Sequence, residues 1–122
     1  MNNTELGRLA ETAVQNVYRK RGYRILAKNL YYGKIGELDI VVYRKAEMSE
    51  SLVFCEVKCR RDFSFSDPLL AVNRLKRNRI FTMAQIFLQH RPEYERAVLQ
   101  FDIALALPRG DSFFIEILEN AF

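Results

Sequence analysis

Gly36-Glu37-Leu38-Asp39-Ile40-Val41-Val42 and, after a charged connection, Leu52-Val53-Phe54-Cys55-Glu56-Val57-Lys58 are the two runs that decide the fold. Both are short, apolar and rich in β-branched residues, which is strand composition. The charged segment 44–50 between them predicts a hairpin. Strand side chains alternate with a period of two. Glu56 and Lys58 therefore share one face, and Cys55, Val57 and Cys59 the other. Asp is a poor strand former, yet Asp39 interrupts an apolar run. With Asp39 on the Glu56 face of the neighbouring strand, about 4.8 Å away, the three charges become one site. Paired carboxylates repel, and a divalent cation relieves that. Mg²⁺ takes one or two carboxylates together with waters and phosphate oxygens. A lysine beside it can orient or deprotonate water, or stabilise charge on a phosphate. A plain salt bridge on a solvated strand face uses the same residues, and the spacing alone is too short to choose between the two.

Outward from this hairpin the elements follow by periodicity. Residues 4–21 read as a helix with Leu6, Ala10, Ala13 and Val17 on its apolar stripe, which leaves Glu11 one step round. Asn3 or Thr4 suits the cap and Gly22 the left-handed stop. Residues 23–30 read as a strand, followed by a turn bracketed by Gly33 and Gly36. Asp67-Pro68 has the form of a helix start, giving a helix over 68–89. Its stripe is Leu69, Val72, Ile80, Met83 and Phe87, with Lys76 among them. Strands over 98–107 and 113–118 complete the chain. Asp102, facing with Gln100 and Ala104, reads as structural, and Tyr31 and Tyr32 read as packing residues. The order α-β-β-β-α-β-β predicts an α/β domain, a central mixed sheet flanked by helices.

At 122 residues the chain is one domain, 1–122, able to bury roughly 65% of its unfolded surface. The longest uncharged run, 80–90, is far short of the ~20 apolar residues of a membrane span. Charges in the first dozen residues exclude a signal-peptide core, so a cytoplasmic location is expected. Cys55 and Cys59, about 13 Å apart in a strand, cannot form a disulfide. The one histidine, His90, has no spaced partners for zinc. There is no G-x-S-x-G elbow and no phosphate-binding glycine motif. The net charge is +4, yet residues 58–79 alone carry +5, from Lys58, Arg60, Arg61, Arg74, Lys76, Arg77 and Arg79 against Asp62 and Asp67. Such concentration points to an anionic partner, with backbone phosphates the best fit.

The run Gly36 to Ile40 followed by Val53 to Arg60 resembles the YraN-like family of uncharacterised bacterial proteins. That family belongs to the PD-(D/E)XK, restriction-endonuclease-like superfamily and is similar in outline to Holliday junction resolvases. Gly7 with Glu11 and Ala13, Gly22-Tyr23 with Asn29, Lys76 with Arg79, Phe101-Asp102 and Asn120-Ala121-Phe122 extend the resemblance over nearly the whole chain. Cys55 stands where that family usually has Val, and Ser66 where it mostly has Gly. The resemblance implies a Mg²⁺- or Mn²⁺-dependent DNA endonuclease in which Asp39 and Glu56 ligate the metal and Lys58 serves the attacking water. It adds Glu11 and the Val57 backbone carbonyl to the metal site, and pairing of two copies as a homodimer. The basic residues Arg60, Arg61, Arg74, Lys76 and Arg79 are then DNA contacts. The alternative is a non-catalytic nucleic-acid-binding module that keeps the nuclease fold.

Overall fold

The computed structural model describes residues 2–60 and 73–122. Helix α1 spans Asn3–Lys20, and strands β1, β2 and β3 span Arg24–Tyr31, Glu37–Lys45 and Glu50–Cys59. Helix α2 spans Arg74–His90, a 3-10 turn Pro92–Tyr94, and strands β4 and β5 Val98–Arg109 and Ser112–Leu118. The strands form one sheet in the order β1-β2-β3-β4-β5. β3 and β4 pair in parallel, and the other neighbours are antiparallel. A parallel pair needs a crossover, and α2 lies within it. This mixed sheet with two helices is the expected α/β architecture and is consistent with a restriction-endonuclease-like fold.

Alternation along the central strands sorts the core onto two faces. Val14 and Tyr18 of α1 pack with Ile40, Val42, Val53, Cys55 and Ala104. Ile80, Met83, Ala84 and Phe87 of α2 pack with Leu38, Val41, Leu52, Phe54, Ile103 and Leu105. Phe54 stacks on Phe101 at 5.5 Å and meets the edge of Phe87 at 5.8 Å. Burying a side chain of this kind stabilises by roughly 1.5–3 kcal/mol.

Several boundaries differ from the sequence expectation. Asn2, not Asn3 or Thr4, caps α1 and accepts the Glu5 N–H at 2.8 Å. Gly22 follows the helix at φ 89°, the left-handed stop expected there. The buried residues of α1 are Ala10, Val14, Gln15 and Tyr18, so its inner face is turned one position toward Glu11. Tyr18 sets that rotation: its ring meets Tyr23 edge-on at 5.4 Å, and its hydroxyl donates to Asp102 at 2.7 Å. The helix start expected at Asp67-Pro68 lies outside the described residues. The described helix begins at Arg74, because extended Asn73 caps it and accepts the Lys76 N–H at 2.9 Å. Residues 68–89 are therefore not one uninterrupted helix. Tyr32 packs against the core, but Tyr31 is 72% exposed and does not pack as expected.

Asp102 holds a structural position. Its carboxylate is fully buried and accepts from Tyr18, from the Gln100 amide at 3.0 and 3.2 Å, and from the Asn120 N–H at 3.0 Å. Burial raises its pKa, and these donors oppose the shift. Cys55 is a buried thiol and Cys59 a half-buried one. Among the described residues no helix is long and apolar enough to cross a membrane.

Candidate metal centre

Toward one end of the sheet, β2 and β3 remain paired as far as Ile40 and Cys55. One step further along each strand stand Asp39 and Glu56. There a side chain takes over from the backbone ladder: the Val57 N–H donates to Asp39 Oδ2 at 2.9 Å. A strand N–H beyond the end of its ladder needs an acceptor, and Asp39 provides it.

Glu56 is buried and carries two ammonium partners on one oxygen. Lys58 Nζ lies 3.2 Å from Oε1, and Lys76 Nζ lies 2.5 Å from the same atom. Lys58 arrives from β3 by the period of two. Lys76 comes from the first turn of α2, which the Asn73 cap fixes. It lies on the face of α2 that meets the sheet, where the sequence placed it.

The acids strain against one another. Burial, and then the charge of Glu56, push Asp39 up to about 8; Glu11 adds to this and the Val57 N–H opposes it. Burial also raises Glu11, helped by Glu37 and Glu56 and opposed by a hydrogen bond from Asn29 and by Arg8. Burial lowers Lys58, and neighbouring Lys76 lowers it further, while Glu56 opposes both. For Lys76 burial works downward, but its hydrogen bond to Glu56 and the charges of Glu56 and Asp39 prevail, and its pKa is raised.

Glu11 sits beside the buried stripe of α1, one step round from Ala10, and its Oε2 is buried without a hydrogen-bond partner. An orphaned buried oxygen of this kind costs about 1–3 kcal/mol unless something supplies positive charge. Carboxylate oxygens are hard donors of the kind that Mg²⁺ and Mn²⁺ take. Among the described residues, however, no group of three or more acidic, histidine or cysteine side chains is arranged as a ready metal cage. The lysines close on Glu56 instead.

The basic residues separate into groups. Arg60 follows β3 and is exposed, its guanidinium donating to Cys59 O at 3.2 Å. Arg74 and Arg79 are exposed on α2. Arg77 lies over the Phe122 ring, 6.0 Å from its centroid. Arg61 lies outside the described residues. The sequence reading passed over Glu37 and gave Asn29 no role at the site. Glu37 carried a usable signal, an acid two positions before Asp39. Asn29, at a positive φ of 49°, carried only its place in the family resemblance.

The model of an uncharacterised protein family, UPF0102, matches residues 10–106, a span that includes Glu11, Asp39, Glu56, Lys58 and Lys76. A UPF0102 protein of Desulforapulum autotrophicum is 38% identical over 117 residues, covering 96% of this chain and 92% of its own. A UPF0102 protein of Dictyoglomus thermophilum is 37% identical over 125 residues, covering both chains in full. One from Ruegeria pomeroyi is 34% identical over 116 residues, 95% of this chain and 86% of that protein.

Proposed function

The chain belongs to the uncharacterised protein family UPF0102, and from that premise we propose that it is a divalent-metal-dependent endonuclease that hydrolyses DNA phosphodiesters. The observation that carries this is the cluster of Asp39, Glu56 and Glu11, with its bare buried oxygen, against two lysines at one end of the sheet. Asp39, Glu56, Glu11 Oε2 and the Val57 carbonyl are the groups that would hold Mg²⁺ or Mn²⁺. Such a cation supplies a Lewis acid and lowers the pKa of a bound water. Lys58, half-buried and with its pKa lowered, takes the proton of the attacking water in this reading. Lys76, once released from Glu56, faces the phosphate and offsets its growing charge. Arg60, Arg74 and Arg79 hold flanking phosphates and leave the sequence unread.

One observation favours the second class, a nucleic-acid-binding module without turnover. The described residues hold no ready metal cage, and Lys76 occupies Glu56. The two are separated with purified protein and a panel of single-stranded, duplex, flap and four-way DNAs in Mg²⁺, Mn²⁺ and EDTA. The endonuclease cleaves with either metal and not in EDTA, and Asp39→Asn and Glu56→Gln each reduce the rate at least ~100-fold. Equal cleavage by the parent and Glu56→Gln identifies a contaminant and hands the protein to the second class.

A further inference from the structure

Beside the carboxylates, between the β1–β2 turn and the first turns of α2, lies a cavity of about 320 Å³. Its floor is apolar, made by Ile35, Ile80 and Met83. Gly36, at φ 144°, takes a backbone conformation that other residues rarely adopt, and a Cβ there would make ordinary contact with Met83, 3.5 Å from its methyl. Leu75 stands at the rim, 60% exposed, an apolar side chain that core packing does not need. Lys76 and Arg79 line the cavity as cations, and Glu37 lines it as a hydrogen-bond acceptor. Lys76 is also the residue that reaches Glu56, so cavity and acid cluster are continuous.

We propose that this cavity is a subsite for one unstacked nucleotide of the DNA strand, its base on the apolar floor and its phosphate on Lys76 and Arg79. The choice of partner rests on the nucleic-acid reading of the neighbouring site. An aliphatic and thioether floor takes the flat face of a base, and cations one helical turn apart take the attached phosphate. Glu37 accepts from amino groups at a base edge. A base inside a continuous duplex is stacked on both faces and cannot enter a cavity. The occupant is therefore a nucleotide of a single-stranded stretch, and the substrate class is DNA with unpaired residues.

The chain has three methionines, and Met48 is 95% exposed in the β2–β3 connection, which makes it an internal control for Met83. The experiment labels the methionine methyls with ¹³C in the full chain, in EDTA, and identifies the Met83 signal by its loss in Met83→Leu. Deoxynucleoside 5′-monophosphates and a single-stranded oligonucleotide should shift Met83 and leave Met48 in place. Inorganic phosphate alone and a blunt duplex should leave Met83 in place. Leu75→Asp, at an exposed position, should weaken nucleotide binding about tenfold. A Met83 signal unmoved by millimolar nucleotide, or moved equally by phosphate or duplex, overturns the subsite. No metal is used, so the outcome is independent of cleavage. Metal-dependent cleavage with a silent Met83 sinks the subsite and leaves the nuclease standing; a responsive Met83 without cleavage keeps the subsite on a binding module.

Discussion

Asp39 holds its proton up to a pH of about 8 because burial, Glu56 and Glu11 all oppose its charge. An unfolded aspartate titrates near 3.9. The folded chain therefore keeps a proton that the unfolded chain releases, and stability from this source is full below about pH 4 and lost as the pH rises through about 8. Urea midpoints measured in EDTA should fall between pH 5 and pH 8. Asp39→Asn, which cannot ionise, should remove much of that slope. Glu11 and Asp102, both raised by burial, add slope of the same sign, so the comparison with the parent carries the result. An unchanged slope in the variant would mean that Asp39 ionises freely. Lys76 yields a second prediction at this scale. Its ammonium occupies the oxygen a cation needs. Lys76→Met keeps the aliphatic stem and removes the charge, so Mn²⁺ affinity measured by calorimetry should rise about tenfold while DNA affinity falls. A lysine that only braced Glu56 would give the opposite sign for the metal.

At the scale of elements, α1, β4 and the C-terminal tail are tied together by Asp102. Asp102→Ala strands the Tyr18 hydroxyl, the Gln100 amide and the Asn120 N–H, at a cost of about 3 kcal/mol or more. Tyr18→Phe removes one donor, and about 1–2 kcal/mol is expected. Chemical denaturation measures both, and neither variant should alter Mn²⁺ affinity, because these groups are not part of the acid cluster. The same elements explain what could be read in advance. β2, β3 and β4 were legible because both faces are covered, which leaves apolar runs in which Asp39, Glu56 and Lys58 stand out. The inner face of α1 was not legible. Whether Ala13 and Val17 or Val14 and Tyr18 turn inward is decided by the space under the sheet and by Asp102, not by the helix itself. Glu11 was therefore placed one step off the stripe, although its Oε2 is buried. The start of α2 at Arg74 was not legible because Asn73 and Asp67 are both good caps, and local propensity does not rank them. The apolar cavity was out of reach, since Ile35 and Met83 lie far apart in sequence and meet only through the fold.

For the whole molecule, the charge distribution makes a prediction independent of chemistry. The net charge is +4, while residues 58–79 alone carry +5. Within that segment Arg77 is drawn over Phe122, whereas Arg60, Arg74 and Arg79 are exposed. With Lys58 and Lys76 these make about five cations able to meet phosphates, so the slope of log affinity against log salt should be about −4 to −5 on duplex DNA. Replacing Lys76 and Arg79 together by Ala should flatten it by nearly two units. Glu56→Gln separates a built site from a merely basic surface. It removes the charge that repels phosphate beside Lys76, so in EDTA the affinity should rise while the slope, which already counts Lys76, stays near the parent value. An exposed salt bridge with no ligand would contribute only about 0–1 kcal/mol to stability and leave the affinity where it was. Fluorescence anisotropy across a salt series on the parent and these variants measures all of this. A slope near zero in the parent would remove nucleic acid as the partner of this surface, and the lysines around Glu56 would then be holding a carboxylate for the fold alone.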